Sequence, residues 1–126
     1  MNLAPYLLAA GRPEEARPIA EEGFSRFGDL GRHSDLQVWA VLAAFERRLT
    51  EAAQLIGFVD AERVRTGQPP RRSEQRLYDE LMRRLQTGLP AADLLARTAE
   101  GAHWSEAEAV DFITRRLVAA GHARIN

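Results

Sequence analysis

The stretch YLLAAGRPEEARPIAEEGFSRFG, residues 6–28, decides the fold class, because it contains two amphipathic helical patterns separated by a short turn. Pro13 suits the first position of the second helix, where its missing N–H costs no hydrogen bond. Small residues recur along the stretch, among them Ala16, Ala20 and Gly23. An isolated helix gains little from such residues, whereas two closely packed helices need them to approach each other. The stretch therefore predicts a hairpin of two closely packed helices.

Helical patterns recur along the whole chain, and alternating strand patterns are nearly missing. Pro69 and Pro70 must break a helix, and Gly88 and Gly101 mark further helix ends. Two residue pairs have the spacing of a capping box, Ser34 with Gln37 and Ser105 with Glu108. We predict an all-α fold with no sheet and seven helices, over residues 2–10, 13–27, 34–48, 51–66, 72–87, 90–100 and 105–120.

The first hairpin has a counterpart further along the chain. The stretch WAVLAAFERRLTEAAQLIGFV, residues 39–59, runs helix, turn with an acidic residue, and helix, as does LAPYLLAAGRPEEARPIAEEG, residues 3–23. An offset of 36 residues aligns Ala4 with Ala40, Gly11 with Arg47 and Ala16 with Ala52, and an offset of 37 aligns Ala16 with Ala53 and Ala20 with Gly57. Both offsets are close to the helix–turn–helix repeat of about 34 residues in tetratricopeptide proteins.

Several motifs resemble one family of such proteins. EEARPIAEEG (14–23), EAAQLIG (51–57) and ERVRTGQPP (62–70) resemble the closing tetratricopeptide-like (TPR-like) units of large bacterial signal-transduction ATPases. Those regulators often carry an adenylate-cyclase or DNA-binding output domain at the other end. LYDELMRRLQ (77–86) and SEAEAVDFI (105–113) are similar to the family's C-terminal segment. Arg47 replaces the usual turn glycine, and no ATPase, cyclase or DNA-binding segment occurs, so neither nucleotide hydrolysis nor transcription carries over.

The resemblance implies one helical domain over residues 1–126, built as a right-handed array of antiparallel helical hairpins. Two TPR-like hairpins would occupy residues 2–66, capping helices residues 72–120, and a tail residues 121–126. The implied role is a non-catalytic protein–protein interaction scaffold, or the sensor region of a bacterial signalling regulator.

The composition and charge of the chain limit its location and its chemistry. The formal net charge is −1, all 17 basic residues are Arg, as in GC-rich bacterial genomes, and Cys is absent. No apolar run approaches the roughly 20 residues of a membrane span, and the N-terminal sequence lacks the basic leader of a signal peptide. We therefore predict a cytoplasmic chain without membrane association, disulfides or thiol chemistry.

The residues that could carry chemistry have structural explanations. No glycine-rich phosphate-binding motif occurs, so no cofactor is predicted. His33, His103 and His122 lack the paired spacing of metal ligands. Serines stand where helix caps belong, and acidic pairs suit solvated helix faces. We predict no catalytic, cofactor-binding or metal-binding residue, and the rival class is a small enzyme, such as a hydrolase, whose site no motif reveals.

One candidate interaction surface is an apolar groove. If Ala4 and Ala40 are the small positions of the first helix in each repeat, the groove-facing side carries Pro5, Leu8, Gln37, Val41 and Phe45. Two interpretations stay open: the chain's own C-terminal helices cover this groove, or it receives a partner helix or a second copy of the chain.

A second candidate is a basic cluster formed by Arg63, Arg65, Arg71, Arg72 and Arg76. This cluster, which Arg83 and Arg84 reinforce, would contact an acidic partner or nucleic acid. Acidic residues interleave with it and no aromatic platform accompanies it, so a salt-bridged solvated surface is the competing interpretation, and nucleic acid is the less favoured partner.

The opening helix, NLAPYLLAA, has only one strongly polar side chain and therefore needs cover on several sides. Leu3, Tyr6 and Leu7 are the predicted contact residues. In a longer parent protein an upstream repeat would cover them, and in this chain a twofold homodimer through the first helix is the simplest closed arrangement. The C-terminal helices are the alternative cover.

Overall fold

The computed structural model of the chain describes residues 3–27 and 33–118, apart from the side chains of 25–27, 33–35 and 73. Within these residues the fold is all-helical, with seven helices and no strand, which confirms the predicted class. The helices are α1 (Ala4–Ala9), α2 (Pro13–Phe27), α3 (His33–Phe45), α4 (Leu49–Thr66), α5 (Arg72–Gly88), α6 (Ala91–Ala102) and α7 (Glu106–Phe112), and α7 continues as a π-helix over Ile113–Val118. The predicted tail lies outside the described residues.

The turns of the two hairpins have the same backbone geometry. Gly11 and Arg47 both adopt a left-handed conformation, with φ of 73° and 63°. The residue after each donates its N–H to the carbonyl five residues earlier at 2.8 Å, Arg12 to Leu7 and Arg48 to Ala43. The turns therefore correspond at the offset of 36 residues, and Arg47 occupies a position that glycine adopts at lower cost.

The small residues that the sequence aligns are fully buried at helix contacts. Ala4, Ala16, Ala40 and Ala52 are all 0% exposed. They lie where α1 packs on α2 and where α3 packs on α4. Because their side chains end at Cβ, the paired helices approach each other closely.

A polar and aromatic contact joins the first hairpin to the second. Arg17 on α2 donates two hydrogen bonds to the carboxylate of Glu46, at 2.7 and 2.6 Å. Its guanidinium also lies 5.6 Å from the ring centroid of Trp39, which Phe24 approaches edge-on from α2. This contact fixes α2 against α3.

The packing of α6 on α4 depends on two glycines. The helices are antiparallel: Gly57 of α4 faces Thr98, and Gly101 of α6 faces Gln54. A Cβ atom at Gly57 would lie 2.1 Å from the carbonyl oxygen of Thr98, and one at Gly101 would lie 1.6 Å from that of Gln54. Gly101 was predicted to mark a helix end; α6 ends one residue later, at Ala102, and Gly101 makes the backbone contact with α4.

The last helices cover other faces of the hairpins. α5 packs on α1, α3 and α4 through Leu77, Leu81 and Leu85, which are all buried. α7 begins with the predicted capping box, in which Ser105 Oγ accepts from the Glu108 N–H at 3.1 Å and Glu108 Oε1 accepts from the Ser105 N–H at 2.8 Å. The other predicted capping box pairs Ser34 with Gln37, and the side chain of Ser34 is not among those described.

Candidate functional site

The predicted groove lies under α5. Leu8, Gln37 and Val41 are at most 1% exposed, and Pro5 and Phe45 are partly buried. α5 contacts both α1 and α3, so a C-terminal helix of the chain itself covers this face. That was one of the two interpretations of the sequence. Leu8, Gln37 and Val41 are consequently not accessible to a partner helix while α5 is in place.

The first half of α5 is held by polar contacts to α3 and α4. The Gln37 side chain donates from Nε2 to the carbonyl oxygen of Glu74 at 2.9 Å rather than capping its own helix. The Tyr78 hydroxyl donates to Asp60 Oδ2 at 2.9 Å. Neither Asp60 nor Tyr78 was among the predicted site residues. These two bonds tie α5 to the hairpin of α3 and α4.

The surroundings of this pair change its protonation. Burial raises the pKa of Tyr78 to about 12, and the nearby Asp60 carboxylate adds to the effect. Burial also raises the pKa of Asp60, against the opposing effects of the Tyr78 hydrogen bond and the Arg63 charge. The tyrosine is therefore the proton donor of this hydrogen bond throughout the neutral range.

Arg63 is the least satisfied charged group in the described part of the chain. It is 8% exposed, and neither of its terminal nitrogens, Nη1 and Nη2, has a hydrogen-bond partner. Nη2 lies 3.9 Å from Glu74 Oε1, which is too far for a hydrogen bond. Glu74 Oε1 instead accepts the N–H of Arg71 at 2.8 Å, at the start of α5. Gln37 Oε1 is a second buried atom without a partner.

The second half of α5 makes a cation–π contact with the groove. The guanidinium of Arg84 lies 4.0 Å from the ring centroid of Phe45 and donates to Glu80 at 3.0 Å. Glu80 also accepts hydrogen bonds from Arg83, and the two arginines lower the pKa of Glu80. Phe45 therefore contacts α5 rather than an open groove.

The predicted basic cluster does not form one continuous surface. Arg63 is buried against α5 and is therefore not accessible to a partner while α5 is in place. Arg65 pairs with a carboxylate one turn earlier on α4 at 3.0 Å. Arg71, Arg72 and Arg76 are exposed and have no ion pair within the described residues. Only these three retain the predicted availability for an acidic partner.

The outer face of α1 exposes apolar side chains. Leu3 is 50% exposed and Tyr6 is 60% exposed, and Leu7 is half-buried. The C-terminal helices as far as Val118, which were the alternative cover, leave Leu3 and Tyr6 exposed. The three predicted contact residues are therefore adjacent on an accessible surface, which we call the α1 face.

A small cleft lies at the opposite end of α4 from the α4–α5 turn. It has a volume of about 390 Å³ and is lined by Thr50, Glu51, Gln54, Trp104, Phe112 and Arg116. Trp104 and Phe112 pack together with ring centroids 4.6 Å apart. No predicted site residue lies in it.

No metal site and no membrane-spanning helix were predicted from the sequence. Within residues 3–27 and 33–118, no group of three or more potential metal ligands occurs. In the same part of the chain no helix has the length and apolar character needed to cross a bilayer. His103 is exposed at the end of α6, and the side chains of His33 and His122 lie outside the description.

Comparison of the chain with models of protein families, with curated proteins and with solved structures finds no match. Function is therefore inferred from the residues and their geometry. The sequence did contain a signal for the buried arginine: Ala52, Ile56, Val59 and Arg63 follow one another at helical spacing, so Arg63 continues the apolar stripe of α4.

Proposed function

We propose that the chain is a non-catalytic protein–protein interaction module of the cytoplasm, related to the TPR-like regions of bacterial signal-transduction ATPases. The equivalence of the two hairpins supports this proposal. Their turns share one geometry at an offset of 36 residues, and their aligned alanines are buried at helix contacts. Stacked hairpins of this kind present their outer surfaces to neighbouring units or partners.

The observation that carries the proposal is the α1 face. Leu3 and Tyr6 are one helical turn apart, and 50% and 60% of their surfaces are exposed to solvent. Large apolar side chains that are adjacent on a surface favour contact with another protein over contact with water. A second copy of the chain provides the same face, so a twofold contact between two α1 helices buries both at once.

Sedimentation velocity at micromolar concentration tests this proposal. We expect a reversible dimer, which Leu3→Glu and Tyr6→Glu convert to monomer without loss of helical circular dichroism, because a carboxylate on each side of a twofold contact repels its counterpart. Leu95→Glu is the matched control, since Leu95 is 72% exposed on α6 and lies outside the α1 face. A monomer at every concentration, unchanged by these substitutions, contradicts the proposed self-association.

A further inference from the structure

The contact between α5 and the groove leaves buried polar atoms without partners. Among residues 3–27 and 33–118, no atom accepts a hydrogen bond from either terminal nitrogen of Arg63 and none donates one to Gln37 Oε1. A helix that is an optimal occupant of a groove satisfies the polar groups that it buries, because each one left without a partner weakens the contact. α5 is therefore an incomplete match to the surface that it covers.

The mismatch has an identifiable cause in Glu74. This residue approaches both groups, since its carbonyl accepts from Gln37 Nε2 at 2.9 Å and its Oε1 lies 3.9 Å from Arg63 Nη2. The same Oε1 accepts the Arg71 N–H, which has no partner within the helix. Glu74 therefore caps α5 from a position in which its carboxylate stays beyond hydrogen-bond distance of Arg63. In a helix that begins a turn earlier, a carboxylate at this place has no capping role and is free to pair with Arg63.

α5 is packed less closely than α6. α6 is fixed to α4 by the backbone contacts at Gly57 and Gly101, whereas α5 packs less extensively on each of its neighbours than α6 does on α4. The segment before α5 contains Gly67, in a left-handed conformation, and two prolines, so it is a connection rather than a continuation of α4. α5 therefore depends most on its contact with α3, and less on those with α1, α4 and α6.

We propose that the surface formed by α1, α3 and α4 is a binding site for an amphipathic helix of a partner protein, and that α5 covers it as an exchangeable internal occupant. α5 shows which helix fits: leucines at the spacing of Leu77, Leu81 and Leu85 fill the apolar part. The partner adds a carboxylate three residues before the first leucine, in the interior of its helix, where it accepts the hydrogen bonds from Arg63 that Glu74, at 3.9 Å, does not form. This inference rests on the proposed function but uses a different surface from the α1 face.

The test uses the full chain and a synthetic helix. The probe is a fluorescent, N-acetylated peptide with the sequence of residues 71–89 preceded by four alanines, so that the residue equivalent to Glu74 lies inside the helix. Fluorescence anisotropy measures its binding. We expect saturable binding to the wild-type chain, and binding about 5–10-fold tighter to Tyr78→Phe, because loss of the hydrogen bond to Asp60 increases the fraction of chains in which α5 is displaced. A peptide with Asp at the position of Leu81 is the control and should not bind.

The proposed pairing of Arg63 with a carboxylate of the partner is tested by comparing two peptides on two variants of the chain. A peptide with Gln at the position of Glu74 should bind the wild-type chain about tenfold more weakly than the Glu peptide. The two peptides should bind Arg63→Met equally, since that chain has no charge to pair. Equal affinities of both peptides for the wild-type chain would overturn the carboxylate site, because a purely structural arginine makes no such distinction.

Three further results would overturn the exchange itself. One is the absence of peptide binding to both the wild type and Tyr78→Phe when circular dichroism shows both to be folded. Another is a Tyr78→Phe chain that dimerises without binding peptide, which would assign the groove to a second copy. Independently of any variant, hydrogen exchange should be at least about tenfold faster in α5 than in α3 and α4, and equal rates would show that α5 opens only with the whole domain. Leu3→Glu should bind the peptide like the wild type, which separates this test from that of the α1 face.

Discussion

At the scale of single residues, two glycines decide whether α4 and α6 can pack. Gly57 and Gly101 are placed where a Cβ atom would enter the backbone of the opposite helix. Gly23, by contrast, lies inside α2 with nothing within 4 Å of its Cβ position. Gly101 and Gly23 both lie inside helices, but an alanine in place of Gly101 would enter the opposite helix, whereas an alanine in place of Gly23 meets open space.

We expect Gly101→Ala to lower the free energy of unfolding by about 1–3 kcal/mol, because the added methyl group must push the two helices apart. Gly23→Ala should raise it by about 0.5–1 kcal/mol, the usual gain from replacing an exposed helical glycine with alanine. Urea unfolding followed by circular dichroism measures both. A Gly101→Ala chain as stable as Gly23→Ala would contradict the close approach of α4 and α6.

Tyr78 predicts a loss of stability in alkaline solution. Its pKa is about 12 in the folded chain, against an ordinary value of 10.0. Between these values the unfolded chain has lost the phenolic proton and the folded chain keeps it, so stability is complete below pH 10 and falls as the pH rises toward 12. Because the side chain is partly exposed and solvent screens it, we expect a loss of about 1 kcal/mol. Urea unfolding at several pH values should show this loss in the wild type and a smaller one in Tyr78→Phe.

At the scale of helices, the sequence predicts which segments are helical and where they end better than it predicts where each helix packs. Pro13, Ser105 and the two prolines after α4 act through local backbone chemistry, so the helix ends near them could be predicted from neighbouring residues alone. The position of α5 could not be predicted, because its leucine stripe shows that one face is buried but not whether that face packs on this chain or on a partner. Arg63 was misplaced for a related reason: its charge suggested a surface, although its position continued a buried stripe.

The contact between α2 and α3 should depend on one partly buried ion pair. Arg17 and Glu46 have side chains 14% and 11% exposed and form two hydrogen bonds, so we expect Glu46→Gln to lower the free energy of unfolding by about 1–2 kcal/mol. Hydrogen exchange should become faster in α2 and stay unchanged in α4. Glu15→Gln is the matched control, since the pair of Glu15 with Arg12 is exposed and local to the start of α2. If both substitutions have the same small effect, α2 is held by its apolar contacts alone.

At the scale of the whole molecule, α4 connects the parts of the fold. It packs on α3 within its hairpin and on α6 through the two glycines. It also contacts α5 near both of its ends, at Leu49 and at Asp60. The α1 face and the groove under α5 therefore lie on one scaffold and share α1, but they use different side chains of that helix. A protein can in this way use one surface for self-association and keep another covered until a partner competes for it.

Charge on the scale of the whole molecule bears on the nucleic-acid alternative. The chain has a net charge of −1, and burial of Arg63 leaves Arg71, Arg72 and Arg76 as the exposed, unpaired part of the predicted cluster. Three phosphate contacts without a surrounding positive field release few counterions, so binding should disappear as salt is raised. We expect no retention of a duplex DNA by the wild-type chain in an electrophoretic mobility assay at about 0.15 M salt, where the Debye length is about 8 Å. Retention at that salt which is lost in the double variant Arg71→Ala/Arg72→Ala would contradict this expectation and favour a DNA-binding surface at the start of α5.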